Sequence, residues 1–313
     1  MTTPPTVPGA DPSDRTATST ATTAGNQTTG RATTVAEART ASGNAPAAGN
    51  LTAVGGASVV GDRVGGRTAV VTGAGNGLGR AITLALAARG ASVVAVGRTL
   101  ERLEAVAEEA SGAVRAVAAD VADPASVAAL AAELAGETVS ILVNNAGVPG
   151  PVAALVDIEP DEWDDVFAVN VRGTYLMCRA FLPGMVERGA GDVINVASVS
   201  GKRPLIRRTP YTASKMAVIG LTRTLAYEVG PAGVSVNSLS PGPVDGPRMT
   251  RNFTLEAERT GVTYEQAEEA FVSRAALHRM LTEDEVAAAV VAMLHMPGLC
   301  AADIDLSAGM VAP

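Results

Sequence analysis

From Arg67 onward, short apolar runs rich in Val and Ile alternate with longer stretches of helical character, and this alternation admits few architectures. Residues 68–72, 92–96, 114–118, 139–143, 192–196 and 234–239 read as strands. Residues 78–88, 100–110, 125–134, 161–186 and 211–229 read as the helices between them. Strands that are apolar on both faces belong to a covered, parallel sheet. Parallel neighbours need crossovers, which the helices supply in the right-handed sense. The expected fold is therefore α/β, one doubly wound parallel sheet with helices on both faces. Ligands of such sheets sit outside the carboxyl ends of the strands.

Composition narrows the function. Apolar residues are 47% of the chain and aromatic residues 3%, with the first aromatic at Trp163, so Ala, Val, Leu and Ile must build the N-terminal half of the core. A net charge of −8 repels phosphate backbones and argues against a nucleic-acid partner. Cys178 and Cys300 have no metal-ligand spacing and read as small core residues; no metal site is expected. His278 and His295 stand alone and read as structural. The chain has neither an apolar run long enough to span a bilayer nor a secretory signal, so a cytoplasmic protein without a membrane partner is expected.

Residues 1–63 differ from the rest. They are rich in Thr, Ala, Gly, Pro and Ser and hold almost no large apolar side chain before Leu51. Such a segment cannot bury enough surface to offset its ordering entropy, so a disordered tail is expected, with the domain at 64–313. A targeting peptide fits its arginines but not Asp11, Asp14 and Glu37. A true start further downstream is a third possibility.

Several motifs lie at strand ends. Gly73, Gly77 and Gly79 follow the first strand as T-G-x-x-x-G-x-G and open a helix, where glycines let backbone approach a pyrophosphate. Asn144-Asn145-Ala146-Gly147 follows the fourth strand and Asn170 lies in the next helix. Ser198 ends the fifth strand, Tyr211 and Lys215 form Y-x-x-x-K, and Pro241-Gly242 follows the sixth. Together, over about residues 64–310, these motifs resemble the short-chain dehydrogenase/reductase family, in that family's order. The resemblance implies a single Rossmann-like domain and an NAD(P)-dependent enzyme acting on CH–OH or C=O groups.

Tyr211 and Lys215 are four apart on a predicted helix and share a face. A free phenol loses its proton only near about pH 10, and a neighbouring ammonium stabilises the phenolate. Ser198 can donate a hydrogen bond to a carbonyl oxygen. The resemblance gives Tyr211 the acid/base role, Lys215 a second task on the nicotinamide ribose, and Asn170 a water-linked proton relay. It implies cofactor contacts at Gly73, Asn76, Gly77, Leu78, Gly79, Asp120, Val121, Asn145, Ala146, Gly147, Tyr211, Lys215, Pro241, Gly242 and Val244. A helix N-cap is the other reading of Asp120 or Asp123, and strand stabilisation that of Asn144.

NADP(H) is expected in preference to NAD(H), with NAD(H) possible. No acid occupies the position of Gly97, and Arg98 can grip a 2′-phosphate with two parallel hydrogen bonds. A surface residue beside Glu101 is the plainer reading of Arg98.

The expected activity is hydride transfer between a nicotinamide and a ketone or secondary alcohol. The alternative is a catalytically inactive dinucleotide-sensing regulator of the same fold, and an epimerase or dehydratase would need a larger C-terminal domain. A lid is expected at about 243–280, whose Met249, Phe253, Tyr264 and Phe271 suit either a hydrophobic substrate or ordinary packing. Lys202, Arg203, Arg207 and Arg208 read as a solvated loop or as a device steering an anionic substrate. The resemblance also implies a homodimer or homotetramer through the two long helices, with Trp163, Phe167, Phe181 and Leu225 as candidate contacts.

Overall fold

A computed structural model describes residues 61–110 and 112–311, so the expected tail lies outside the described residues apart from 61–63. The chain runs β1 (Thr68–Thr72), α1 (Gly77–Ala87), β2 (Ser92–Gly97), α2 (Leu100–Glu109), β3 (Val114–Ala118), α3 (Pro124–Glu133) and β4 (Val139–Asn144). It continues through α4 (Pro160–Phe167), α5 (Gly173–Arg188), β5 (Gly191–Val196), α6 (Thr209–Val229) and β6 (Val234–Pro241). It ends with α7 (Pro247–Thr260), α8 (Tyr264–Val272), α9 (Glu283–Leu294) and β7 (Asp303–Leu306). The strands form one parallel sheet in the order β3-β2-β1-β4-β5-β6-β7. The order reverses between β1 and β4, and the crevice above that switch point is where the motifs converge.

Successive strand residues face opposite sides, so each strand feeds two cores. Val71, Ala95, Ile141 and Ile194 pack beneath Ile82 and Leu86 of α1 and Val286 and Val290 of α9. Val70, Val94, Leu142 and Val193 pack on the other face against Leu130, Met177, Phe181 and Met185. Truncating a fully buried Leu such as Leu142 to Ala costs about 2–5 kcal/mol in a core of this kind.

Two features depart from the sequence reading. The helix expected at 161–186 is interrupted by a π-helical turn at Ala168–Arg172, which carries Asn170; π turns of this sort gather at functional sites. A seventh strand, β7, was not expected, because a four-residue run with acids at two positions does not read as a buried strand. Asp303 explains its place: Oδ1 accepts from the hydroxyls of Ser238 and Ser240 at 2.8 Å each, and Oδ2 pairs with Lys202 at 2.7 Å.

Candidate active site

The glycine loop between β1 and α1 is held from below by the end of β4. Thr72 Oγ1 accepts from the backbone N–H groups of Asn145 and Ala146, both at 3.0 Å. Asn145 Nδ2 donates to the carbonyls of Thr72 and Gly73 at 3.0 and 3.3 Å. Space is tight here: a Cβ on Gly79 would stand 2.0 Å from Gly73 O, and one on Gly73, itself at φ +66°, 2.9 Å from Ala146 Cα. Gly77 and Leu78 lead into α1, where the unpaired N–H groups of a first helical turn favour an anion. Asn76 is exposed at the N-cap and makes no side-chain cap bond.

The second half of the site forms where β4, β5 and α6 meet. Lys215 is buried, and its ammonium donates to Val196 O at 2.8 Å while lying 5.8 Å from the centre of the Tyr211 ring. Burial holds its pKa below the ordinary lysine value; Tyr211 opposes that shift and Arg248 adds to it. Asn170 Oδ1 accepts from Val148 N at 2.7 Å, and Nδ2 donates to Val148 O and Ser214 Oγ at 3.0 and 2.9 Å. Both ends of its amide are thus engaged, so a water relay has only the backbone carbonyl, which also accepts from Thr174 Oγ1 at 2.9 Å. Ser198 Oγ accepts from Ser200 N at 3.1 Å, leaving its hydroxyl proton free to be donated.

The structure therefore brings Asn170, Gly147, Tyr211 and Lys215 to one place: a Cβ on Gly147 would come within 3.1 Å of Asn170 Oδ1 and 3.4 Å of Lys215 Nζ. Gly201 belongs with them and was missed. A Cβ there would meet Met216 N at 2.9 Å, so only glycine lets the turn carrying Ser198 rest on the α6 backbone beside Lys215. The spacing Ser198-x-x-Gly201 was the available signal. Thr72 and Ser214 were likewise missed.

The remaining expected residues lie around this centre. Asp123, not Asp120, caps α3, accepting from Ala125 N and Ser126 N at 3.1 Å each. Asp120 Oδ1 accepts from Ala122 N at 2.9 Å, and Val121 is buried beside Gly173. Asn144 is buried, with Nδ2 donating to Asn195 Oδ1 at 2.8 Å, a bond between neighbouring strands. After Pro241, Gly242 N donates to Leu306 O at 2.6 Å, and Val244 bridges to Leu281. Arg98 is exposed just beyond the end of β2.

Packing around α7, α8 and the rim bears on several of the alternatives. Phe253 packs edge-on against Tyr264 and Phe271, with centroids 5.8 and 5.4 Å away, and Met249 and Phe253 are buried. The aromatic residues of α7 and α8 thus pack on one another. Lys202 pairs with Asp303 and Asp305 and is withdrawn from the rim. Phe181 faces the core rather than a partner, and Trp163 stacks on Phe167 at 5.1 Å. Cys178 is buried, its thiol pushed up to about 12 by desolvation, whereas Cys300 is exposed on the turn before β7 and is not a core residue. No helix among the described residues is long and apolar enough to cross a membrane.

Known proteins resemble this chain in sequence and fold. Residues 67–258 match the short chain dehydrogenase family. D-threitol dehydrogenase of Mycolicibacterium smegmatis is 42% identical over 200 residues, 59% of this chain and 76% of that one. D-beta-hydroxybutyrate dehydrogenase of Cupriavidus necator is 32% identical over 236 residues, 72% of this chain and 90% of that one. A crystal structure of an actinorhodin polyketide ketoreductase variant with NADPH superposes with a TM-score of 0.74 at 30% identity, covering 78% of this chain and 97% of that one. The chain belongs to the short-chain dehydrogenase/reductase family and is an oxidoreductase of CH–OH and C=O groups that uses a nicotinamide dinucleotide.

Proposed function

We propose that this protein interconverts a ketone and a secondary alcohol with NADP(H) as the preferred cofactor. The observation that carries the reading is the Lys215 ammonium, buried beside Tyr211 with a single hydrogen bond, to Val196 O. A buried ammonium with one partner among the described residues has two N–H donors to spare, and ribose hydroxyls are the acceptors a dinucleotide would bring. The open edge at Gly147 fits the same ligand, because any side chain there would crowd Asn170 and Lys215.

The bound nicotinamide supplies or accepts the hydride. Gly73, Asn76, Gly77, Leu78 and Gly79 hold the pyrophosphate side, with Asn145 fixing their loop from below. Asp120 and Val121 flank the adenine, Arg98 takes the 2′-phosphate, and Ala146, Gly147, Pro241, Gly242 and Val244 line the nicotinamide half. Ser198 donates to the substrate oxygen, which orients the carbonyl and stabilises charge developing on it. Tyr211 gives that oxygen its proton, or takes it in the reverse direction, with the Lys215 ammonium 5.8 Å from its ring. Asn170 fixes the β4 exit against α6 and offers its carbonyl to the relay.

A homodimer or homotetramer fits α5 and α6. Tyr175 and Tyr227 are 48% and 81% exposed, and Tyr175, Leu182, Leu221 and Leu225 line one groove between the helices. Light scattering at micromolar concentration should give a multiple of the chain mass; a monomer refutes the assembly.

The activity is tested by a panel of ketones and alcohols with each cofactor, following absorbance of the reduced nicotinamide. Polyols, hydroxy acids and polyketide-like ketones belong in the panel because relatives act on them. Turnover with NADPH favoured about tenfold or more supports the reading. Cofactor binding without turnover across the panel overturns it in favour of a sensor.

A further inference from the structure

The rim of the cleft carries a cluster of cations that the site just described does not use. Arg208 lies at the N-terminal end of α6, one turn ahead of Tyr211. Its guanidinium donates through Nη1 to the carbonyls of Pro149 and Gly150 at 3.1 and 3.4 Å, and through Nη2 to Asn252 Oδ1 at 3.0 Å. Asn252 sits on α7 one turn after Arg248, so the bond brings Arg208 to the face that carries Arg248, and Arg251 follows Arg248 by one turn on the adjoining face. Every acceptor used by Arg208 is neutral, and its Nε–H and one further N–H have no partner among the described residues.

Five other arginines, Arg67, Arg80, Arg115, Arg259 and Arg279, each pair with a carboxylate among the described residues. Arg208, Arg248 and Arg251 form no such pair among the described residues, although the protein carries a net charge of −8. Burial lowers the pKa of Arg208, Arg248 lowers it further, Tyr211 opposes the shift and Arg251 adds the least; Arg248 also presses on Lys215. The backbone feeding the cluster is held in a costly shape, with Arg207 at φ 65° and its carbonyl accepting from Ala153 N at 3.1 Å. Like charges gathered at one spot raise the energy of the empty cleft, and an oxyanion between them relieves it.

We infer that Arg208, Arg248 and Arg251 form an anion subsite, and that the substrate is a ketone or secondary alcohol bearing a carboxylate or phosphate group. The inference rests on the oxidoreductase reading above and names the far end of its substrate. Guanidinium groups bind such oxyanions with paired, charge-assisted hydrogen bonds, and Arg208 fixes the distance from the anion to the reacting carbon near Tyr211.

The test uses ketone pairs that differ in charge: acetoacetate with its methyl ester, and dihydroxyacetone phosphate with dihydroxyacetone. Reduction is followed at low and high salt in the wild type and in an Arg248→Gln/Arg251→Gln double variant, which leaves the bonds of Arg208 intact. At least one anionic ketone should exceed its neutral partner about tenfold in kcat/KM at low salt, with the gap narrowing as salt rises. The double variant should lose about ten- to a hundredfold for that anion and less than about twofold for the neutral ketone. The pair that shows the gap identifies carboxylate or phosphate. Neutral ketones reduced equally well, or an unchanged double variant, overturn the subsite. If no ketone of either charge is reduced, the oxidoreductase reading fails, and calorimetric titration of the cofactor-loaded protein with acetoacetate and dihydroxyacetone phosphate judges the subsite separately. Binding that weakens about tenfold in the double variant keeps it; no binding, or equal binding, overturns it.

Discussion

The floor of the cleft and the α7–α8 segment, the expected lid, are built on opposite principles. In the floor, where β4, β5 and α6 meet, polar side chains are buried and tied to one another: Asn144 to Asn195, Asn195 to Thr222, Thr222 to Val218 O, and Asn170 to Val148 and Ser214. In the lid, α7 and α8 share a small apolar cluster, the capping box of Thr263 and Gln266 starts α8, and most of α7 is exposed. A buried network in low dielectric fixes geometry because each unmet bond is expensive. An exposed helical pair tolerates change, since little depends on any single contact. Chemistry common to a family belongs on the first kind of support and substrate choice on the second.

Breaking the floor at its reacting atom should have the largest effect. Tyr211→Phe removes the proton carrier while preserving ring packing, so kcat should fall about 10²–10⁴-fold with cofactor binding retained. A variant keeping a third of wild-type turnover defeats the assignment. Arg98→Ala should cut kcat/KM with NADPH about ten- to a hundredfold and spare NADH; wild-type kinetics that favour NADH sink the cofactor preference. Thr222→Val tests the network itself. It leaves Asn195 Nδ2 without its acceptor, and the loss should be about 1–3 kcal/mol, read from urea midpoints at constant slope. Phe271→Ala in the lid should move the same midpoint less, because Phe271 is only half-buried; an equal or larger shift would erase the contrast.

The smallest effect concerns Glu285, where the chain returns from the lid into α9. Its carboxylate takes both Arg279 guanidinium nitrogens at 2.8 and 2.6 Å and the N–H of Thr282 at 2.9 Å. Arg279 and that N–H hold its pKa at about 2, against an ordinary 4.5. A depressed carboxyl pKa stabilises the fold above the ordinary value, and that contribution fades as pH falls through the folded one. Arg279→Ala should lower the melting temperature by no more than about 2 °C at pH 7, and the gap should close between about pH 4.5 and pH 2. A gap that widens on acidification contradicts the sign.

The same contrast decided what the sequence revealed. Strands β1, β2 and β4 were legible because burial on both faces leaves apolar runs, and the site because its residues stand at strand ends with fixed spacing. Strand β7 was not, since Asp303 is acceptable in a sheet only through Ser238, Ser240 and Lys202, which lie far away in sequence. Lys202 looked like a member of a basic rim for the same reason. Long-range partners, not local propensity, made each of these differences.

The position of β1 in the sheet has a consequence for how the protein is made. β1 is central, flanked by β2 on one side and β4 on the other. Its β2 edge can pair soon after leaving the ribosome, but its other edge must wait for residues 139–144, a delay on the order of 10 s at ordinary elongation rates. Through that interval Val70 and Val71 lie on an unpaired strand edge that another chain can occupy. The nucleotide crevice opens between those two strands, so the place where the ligand will bind lies on the seam whose strands are farthest apart in sequence, and the nascent chain is most exposed to misassembly there.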